Sequence, residues 1–226
     1  MRLTNRLQMV ADAVKPCQNF VDIGTDHAYL PTYLIQNKIA EKALACDLRV
    51  QPLENAKHTI LQYDVAEKIQ LRLSNGLQNV KPEEADEIAI AGMGGILIST
   101  MIETTPWLKN PQKRLLLQPM THEEDVREAL YKNGFRIVEE HTTSEGKHLY
   151  LLIVAEYVGT VDLPKSYVYY SGLLPFGTAE TDALYLEKIK KRLLKRANAL
   201  KTIEPKTAKE LFEILEGIDH ASERDI

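Results

Sequence analysis

Apolar positions first recur at helical spacing: Leu3, Leu7, Val10, Ala11 and Val14 share one side of residues 3 to 14. Thr4 or Asn5 is the candidate cap, and Arg2 and Arg6 lie on the polar side. The pattern then changes. Phe20 to Ile23 reads as a strand, closed by a polar turn at Gly24-Thr25-Asp26-His27-Ala28 and followed by a helix over Tyr29 to Gln36. Lys42 to Cys46 is a second strand ending on Asp47, and Gln51 to Tyr63 a helix with Pro52 in its first turn. Ile69 to Leu73 alternates as a third strand and stops at Ser74-Asn75-Gly76. Glu87 to Ala91 and Arg114 to Gln118 are apolar without alternation, the signature of strands buried on both faces of a parallel sheet. Gly92-Met93-Gly94-Gly95 and a helix follow the fourth strand; a helix over His122 to Asn133, stopped by Gly134, follows the fifth. Phe135 to Glu140 and Leu149 to Ala155 are separated only by a loop, so the sheet is expected to finish with an antiparallel pair. Strands alternating with helices predict a doubly wound α/β domain over residues 1–158.

Beyond Gly159 the pattern predicts a second unit, 159–226. Pro164, Gly172, Pro175 and Gly177 read as a linker, and Thr178 or Thr181 caps a long helix. Leu186, Ile189, Leu193, Ala197 and Leu200 form a narrow seam suited to a helix pair. Pro205 breaks the helix, and Ala208, Leu211, Phe212 and Leu215 supply the second member of a helical, coiled-coil-like hairpin; Asp219 to Ile226 is expected to fray.

Charge changes this picture at one place. The 226-residue chain has a formal net charge of -4, yet residues 187 to 201 carry seven Lys or Arg and one acid. Such a stripe attracts phosphate whatever the total charge, because salt limits distant charges to roughly 8–10 Å. The bland alternative is a solvated helix face. Cys17 and Cys46 lack metal-type spacing and read as small core hydrophobes, so neither a metal site nor a disulfide framework is expected. No run of eighteen apolar residues occurs and the N-terminus lacks an apolar signal core, which predicts no membrane span and a cytoplasmic protein.

In a doubly wound sheet, ligands lie beyond the carboxyl ends of the strands. Here those ends carry Asp22, Gly24 and Asp26, then Asp47, then Asn75 and Gly76, then Gly92. Gly24 admits close backbone approach, and the helix start at Tyr29 offers free N–H groups. Asp47 stands where a nucleoside ribose is held through its hydroxyls. The alternatives are that Asp26 is merely an N-cap and that the other residues belong to ordinary turns. A dinucleotide turn has glycines in G-x-G-x-x-G, whereas this one reads G-T-D-H-A-Y, which disfavours a pyrophosphate. Carboxylates favour a cationic ligand, and S-adenosylmethionine carries a sulfonium and an ammonium.

The segments D-I-G-T-D-H-A-Y-L-P, A-C-D-L-R, N-A-K, S-N-G-L and I-A-G-M-G-G resemble those of the bacterial tRNA (adenine-N1)-methyltransferases that modify adenine 22. The resemblance implies a Rossmann-like class I methyltransferase sheet using S-adenosylmethionine. Its cofactor pocket would comprise Asp22, Gly24, Asp26, His27, Asp47, Leu48, Asn75, Gly76, Gly92 and Met93. Asp26 and Ala28 replace glycines of generic class I enzymes. The Asn-Pro-Pro-aromatic motif of exocyclic amino methyltransferases is missing after the fourth strand, which fits a ring-nitrogen target. With tRNA as partner, Asp26 is expected near the methyl group and Tyr29 to stack on the adenine; the alternative for Tyr29 is packing on the sheet. Arg2, Arg6, Lys188, Lys191, Arg192, Lys195 and Arg196 are expected to contact the RNA backbone. The competing readings are a small-molecule methyltransferase and a catalytically silent RNA- or protein-binding module. The oligomeric state stays open and a monomer suffices.

Overall fold

Successive side chains of a strand point to opposite faces, so an apolar run without alternation needs cover on both sides. The computed structural model describes residues 1–223. Its strands are β1 (Cys17–Ile23), β2 (Ala40–Asp47), β3 (Ile69–Leu73), β4 (Glu87–Gly94), β5 (Arg114–Thr121), β6 (Phe135–Glu145) and β7 (His148–Tyr157). They form one sheet in the order β3-β2-β1-β4-β5-β7-β6, parallel except for β7, which runs against both neighbours. Helices α1 (Asn5–Ala13), α2 (Tyr29–Gln36) and α3 (Val50–Gln62) cover one face, packing Val10, Leu34 and Ile60 with Phe20, Ala45 and Ala89. Helices α4 (Gly95–Thr104) and α5 (Glu123–Lys132) cover the other, packing Ile98 and Val126 with Val21, Ile90 and Leu117. Phe20 and Val21 therefore enter different cores, as the strand period requires. Each fully buried Ile or Leu contributes roughly 1.5–3 kcal/mol relative to exposure.

Three expectations need correction. The final hairpin is longer than its apolar stretches: Thr142, Thr143 and Ser144 continue β6 opposite Leu151, Tyr150 and Leu149, and the turn comes only at Gly146. The segment read as a linker contains a helix, α6 (Ser166–Ser171), and a 3₁₀ turn at Leu174–Phe176. At the other end, α8 (Pro205–Glu223) keeps its helix through Asp219 to Glu223, where fraying was expected; residues 224–226 lie outside the described residues. Thr4 does stand at the cap of α1, but its hydroxyl makes no capping bond.

Helix α7 (Glu180–Leu200) pairs with α8, and the seam of Leu186, Ile189, Leu193 and Ala197 is buried. Those residues share one core with Leu130, Phe135 and Ile137 of α5 and β6. A buried ion pair ties the same region together. Arg127 Nε donates to Glu140 Oε1 at 2.7 Å, its Nη1 donates to the carbonyls of Tyr169 and Tyr170, and Glu140 Oε2 accepts the Leu173 N–H at 2.8 Å. Burial by itself would lower the Arg127 pKa; the Glu140 carboxylate more than offsets this and holds it above the ordinary value.

Candidate active site

β1 and β4 lie side by side at the centre of the sheet, so their carboxyl ends open the crevice where the strand order reverses. The turn after β1 is fixed by its neighbour: the N–H groups of Gly24 and Thr25 both donate to the Cys46 carbonyl, at 2.8 and 2.9 Å. Gly24 has φ +81°, and a Cβ there would collide with the Met93 methyl, which lies directly over it. Ala28 adopts φ 51° and its N–H is taken by Thr25 Oγ1 at 3.1 Å. Ala28, not Asp26, therefore occupies the cap position of α2. Asp26 is free of that duty; its side chain is 70% exposed and lies 3.5 Å from His27 Nε2.

The rings of His27 and Tyr29 stack in parallel, 5.0 Å apart and 5° from coplanar. Tyr29 is 41% exposed and belongs to neither hydrophobic core. A cavity of about 250 Å³ beside this stack is lined by Asp22, Gly24, Asp26, His27 and Tyr29, and also by Arg6 and Glu145. Asp22 is buried, and burial pushes its carboxyl up to about 6 although the Thr25 hydroxyl and the Arg6 charge pull the other way. Asp47 closes β2 with Oδ1 accepting the Arg49 N–H at 2.8 Å, while Oδ2 has no partner among the described residues. Among the described residues the buried Asp22 has no cation in ion-pair range and Asp47 has Arg49 Nε at 3.7 Å, a pair of acids that suits a ligand bringing hydroxyls and positive charge.

Gly92 has φ +77° at the end of β4 and donates its N–H to Gln118 Oε1 at 3.1 Å. That oxygen also accepts from Arg6 Nη1 at 3.1 Å. Arg6 also lines the cavity. Gln118 and Glu145 escaped the sequence reading, and the only signal for Gln118 was its polar amide at the end of an apolar strand. Asn75 and Gly76 line a second cavity, of about 370 Å³, with Leu97 and Trp107. Leu48 is exposed at the end of β2. The predicted cofactor residues therefore share one edge of the sheet but not one cavity.

The basic stripe divides. Arg192 is not a free surface cation: it lies 2.9 Å from Glu123 and 3.1 Å from Glu124. Burial would raise the Glu123 carboxyl, and the Arg192 charge more than offsets that, leaving it below the ordinary value. Lys188 sits 4.7 Å over the Tyr185 ring, and Lys190 pairs with Asp219 at 2.6 Å. Lys191, Lys195 and Arg196 are exposed and make no ion pair among the described residues. Arg2 is exposed at the other end of the chain. Among the described residues no helix is long and apolar enough to cross a membrane, and no cluster of His, Cys, Asp or Glu is placed to hold a metal ion.

A family profile described as a methyltransferase domain matches residues 3–153. The tRNA (adenine(22)-N(1))-methyltransferase of Bacillus subtilis strain 168 is 36% identical over 191 residues, 83% of this chain and 80% of that one. A Streptococcus pneumoniae protein solved in complex with S-adenosyl-L-methionine is 30% identical with a TM-score of 0.83, covering 98% of this chain and 100% of that one. M. capricolum TrmK, solved with S-adenosyl-homocysteine, is 27% identical with a TM-score of 0.78, covering 99% and 97%. Sheet order, the acids at the strand ends and these likenesses agree, and the chain belongs to the tRNA (adenine(22)-N(1))-methyltransferase family.

Proposed function

We propose that this protein transfers a methyl group from S-adenosylmethionine to N1 of adenine 22 in tRNA, in the cytoplasm. The observation that carries the reading is the cavity at the end of β1, where Asp22, Gly24, Asp26 and the exposed Tyr29 ring come together at the carboxyl edge of the sheet. When bound, S-adenosylmethionine supplies an electrophilic methyl on a sulfonium. Asp22 and Asp47 would hold its charged and hydroxylated parts, with Met93 over the Gly24 turn and Gly92 beside it, and Leu48, Asn75 and Gly76 on the adenine side. Asp26 and Tyr29 would orient the target base. The N1 lone pair is free at neutral pH, so the protein has no proton to remove before attack and gains rate mainly by positioning. Once methylated, the base is cationic, and the Asp26 and Glu145 carboxylates at the cavity supply the matching negative charge.

Two features support RNA as the substrate rather than a small molecule. Tyr29 presents an exposed ring to a base drawn out of its stack. Lys191, Lys195 and Arg196 make no ion pair along α7 among the described residues, and Lys188 adds a fourth cation, whereas Arg192 is paired with Glu123. The test is methyl transfer to a tRNA transcript with adenine at position 22 and to the same transcript with guanine there. Transfer to the first alone is expected; equal labelling of both overturns the assignment. Asp26→Ala and Tyr29→Ala are expected to lower turnover about 100-fold with S-adenosylhomocysteine affinity kept. Replacing Lys191, Lys195 and Arg196 together by Ala is expected to weaken tRNA binding and reduce its salt slope by about two.

A further inference from the structure

The N-terminal helix enters the cavity through Arg6, in its first turn. Arg6 Nη1 and the Gly92 N–H donate to the same oxygen, Oε1 of Gln118, each at 3.1 Å. Gln118 is fully buried, and its Nε2 donates to the Pro119 carbonyl at 3.1 Å and to the Met120 sulfur at 3.5 Å. Every polar atom of this amide is thereby engaged, and its rotamer is fixed. Arg6 is fixed as well. Its backbone N–H reaches Glu145 Oε2 at 3.3 Å, its guanidinium carbon lies 5.9 Å from the Tyr150 ring centre, and the neighbouring Asn5 donates to the Ser144 carbonyl at 2.9 Å.

This arrangement is a poor way to stabilise a fold. A half-buried guanidinium gains most from a carboxylate fork, yet among the described residues Arg6 makes no ion pair and its Nε and Nη2 make no hydrogen bond to protein. A Cβ on Gly92 would stand 3.4 Å from Arg6 Nη1, so the guanidinium lies over the glycine at the end of β4. We propose that Arg6 is a positioning residue for methyl transfer: it acts through Gln118 to hold the Gly92 backbone, and its remaining donors complete the wall that the entering adenine meets. The proposal rests on the reading that tRNA adenine enters this cavity. It separates Arg6 from the phosphate-contacting cations of α7.

The experiment compares wild type, Arg6→Ala, Gln118→Ala and the double variant in single-turnover transfer to the transcript. Affinities for tRNA and S-adenosylhomocysteine are measured alongside, and amide hydrogen exchange is followed at Gly92. Each single variant is expected to lose about 100-fold in rate, the double no more than the worse single, with both affinities within about threefold. Gly92 exchange accelerates in all three. Circular dichroism and thermal unfolding like those of wild type show that the variants are folded. Additive losses, unchanged rates, or a fall in tRNA affinity with a salt slope smaller by about one would overturn the proposal, the last by making Arg6 a phosphate contact. If wild type fails to methylate the transcript, the substrate reading falls. Gly92 exchange still decides the positioning arm, because it needs no tRNA.

Discussion

Asp22 and Glu87 are both buried acids on the central strands of one sheet, Asp22 near the carboxyl end of β1 and Glu87 at the start of β4. Burial is the leading cause in each of a raised pKa, to about 6 for Asp22 and about 7 for Glu87. They differ in their partners. Glu87 has the Arg114 guanidinium at 3.3 Å, and that cation is also shared with Glu139 at 2.7 Å and Glu156 at 3.4 Å. Asp22 has a hydroxyl from Thr25 and only the more distant charge of Arg6. An acid matched by the chain itself serves architecture, and an acid left for something outside the chain marks a site. Burial and a shifted pKa alone do not separate the two; the identity of the partner does.

The largest effect that tests this contrast comes from a third acid, Glu140, whose pairing with Arg127 is complete. Glu140→Gln is expected to destabilise the protein by about 3–5 kcal/mol, because Arg127 stays buried without its counter-charge. Denaturant unfolding measures the loss, and the folded fraction should keep its turnover. An intact stability would show that the buried Arg127 does not need its counter-charge. Asp22→Asn comes next, with the opposite pattern. Affinity for S-adenosylmethionine is expected to fall about 100-fold, close to 3 kcal/mol, as measured by calorimetry.

The same variant has a pH signature. The proton on Asp22 is held more tightly in the folded chain, at about 6 against a usual 3.8, so its stabilising contribution is complete below about pH 4 and lost as pH rises through 6. Asp22→Asn escapes that loss. It is expected to be more stable than wild type by about 3 kcal/mol above pH 7 and to show no gain near pH 4, in thermal unfolding at matched salt. A gain independent of pH would sever Asp22 from its titration. The smallest effect is expected at Glu87→Gln. Arg114 keeps Glu139 and Glu156, and burial already brings Glu87 close to protonation at pH 7, so stability there should change by roughly 1 kcal/mol or less, with cofactor affinity within threefold. A large loss of affinity there would erase the distinction between the two ends.

Most strands and helices were legible because their apolar periods are strong and the glycines fall at strand ends. The exceptions have physical causes. Thr142 to Ser144 extend β6 by hydrogen bonding to β7, where the side-chain pattern carries no burial signal. The tyrosine-rich α6 lies between Pro164 and Gly172, breakers that read as a linker, and is held by contacts to α5 and α8. In the site, the acids and glycines of β1, β2 and β4 were visible because topology puts successive strand ends on one edge. Gln118, Arg6 and Glu145 were not visible as a group, since α1, β5 and the β6–β7 turn bring them together only in the folded chain. Charge pattern alone could not distinguish Arg192, matched by Glu123, from Lys195, which makes no ion pair among the described residues.

The Arg127 and Glu140 pair also bears on modularity. The carbonyls of Tyr169 and Tyr170 and the N–H of Leu173 find their partners on α5 and β6, outside their own segment. Cut from the sheet and grafted elsewhere, residues 159–223 would expose those groups along with the apolar seam of α7. A transplant or chimera joined at residue 158 needs a recipient that supplies an arginine and a glutamate at the matching places.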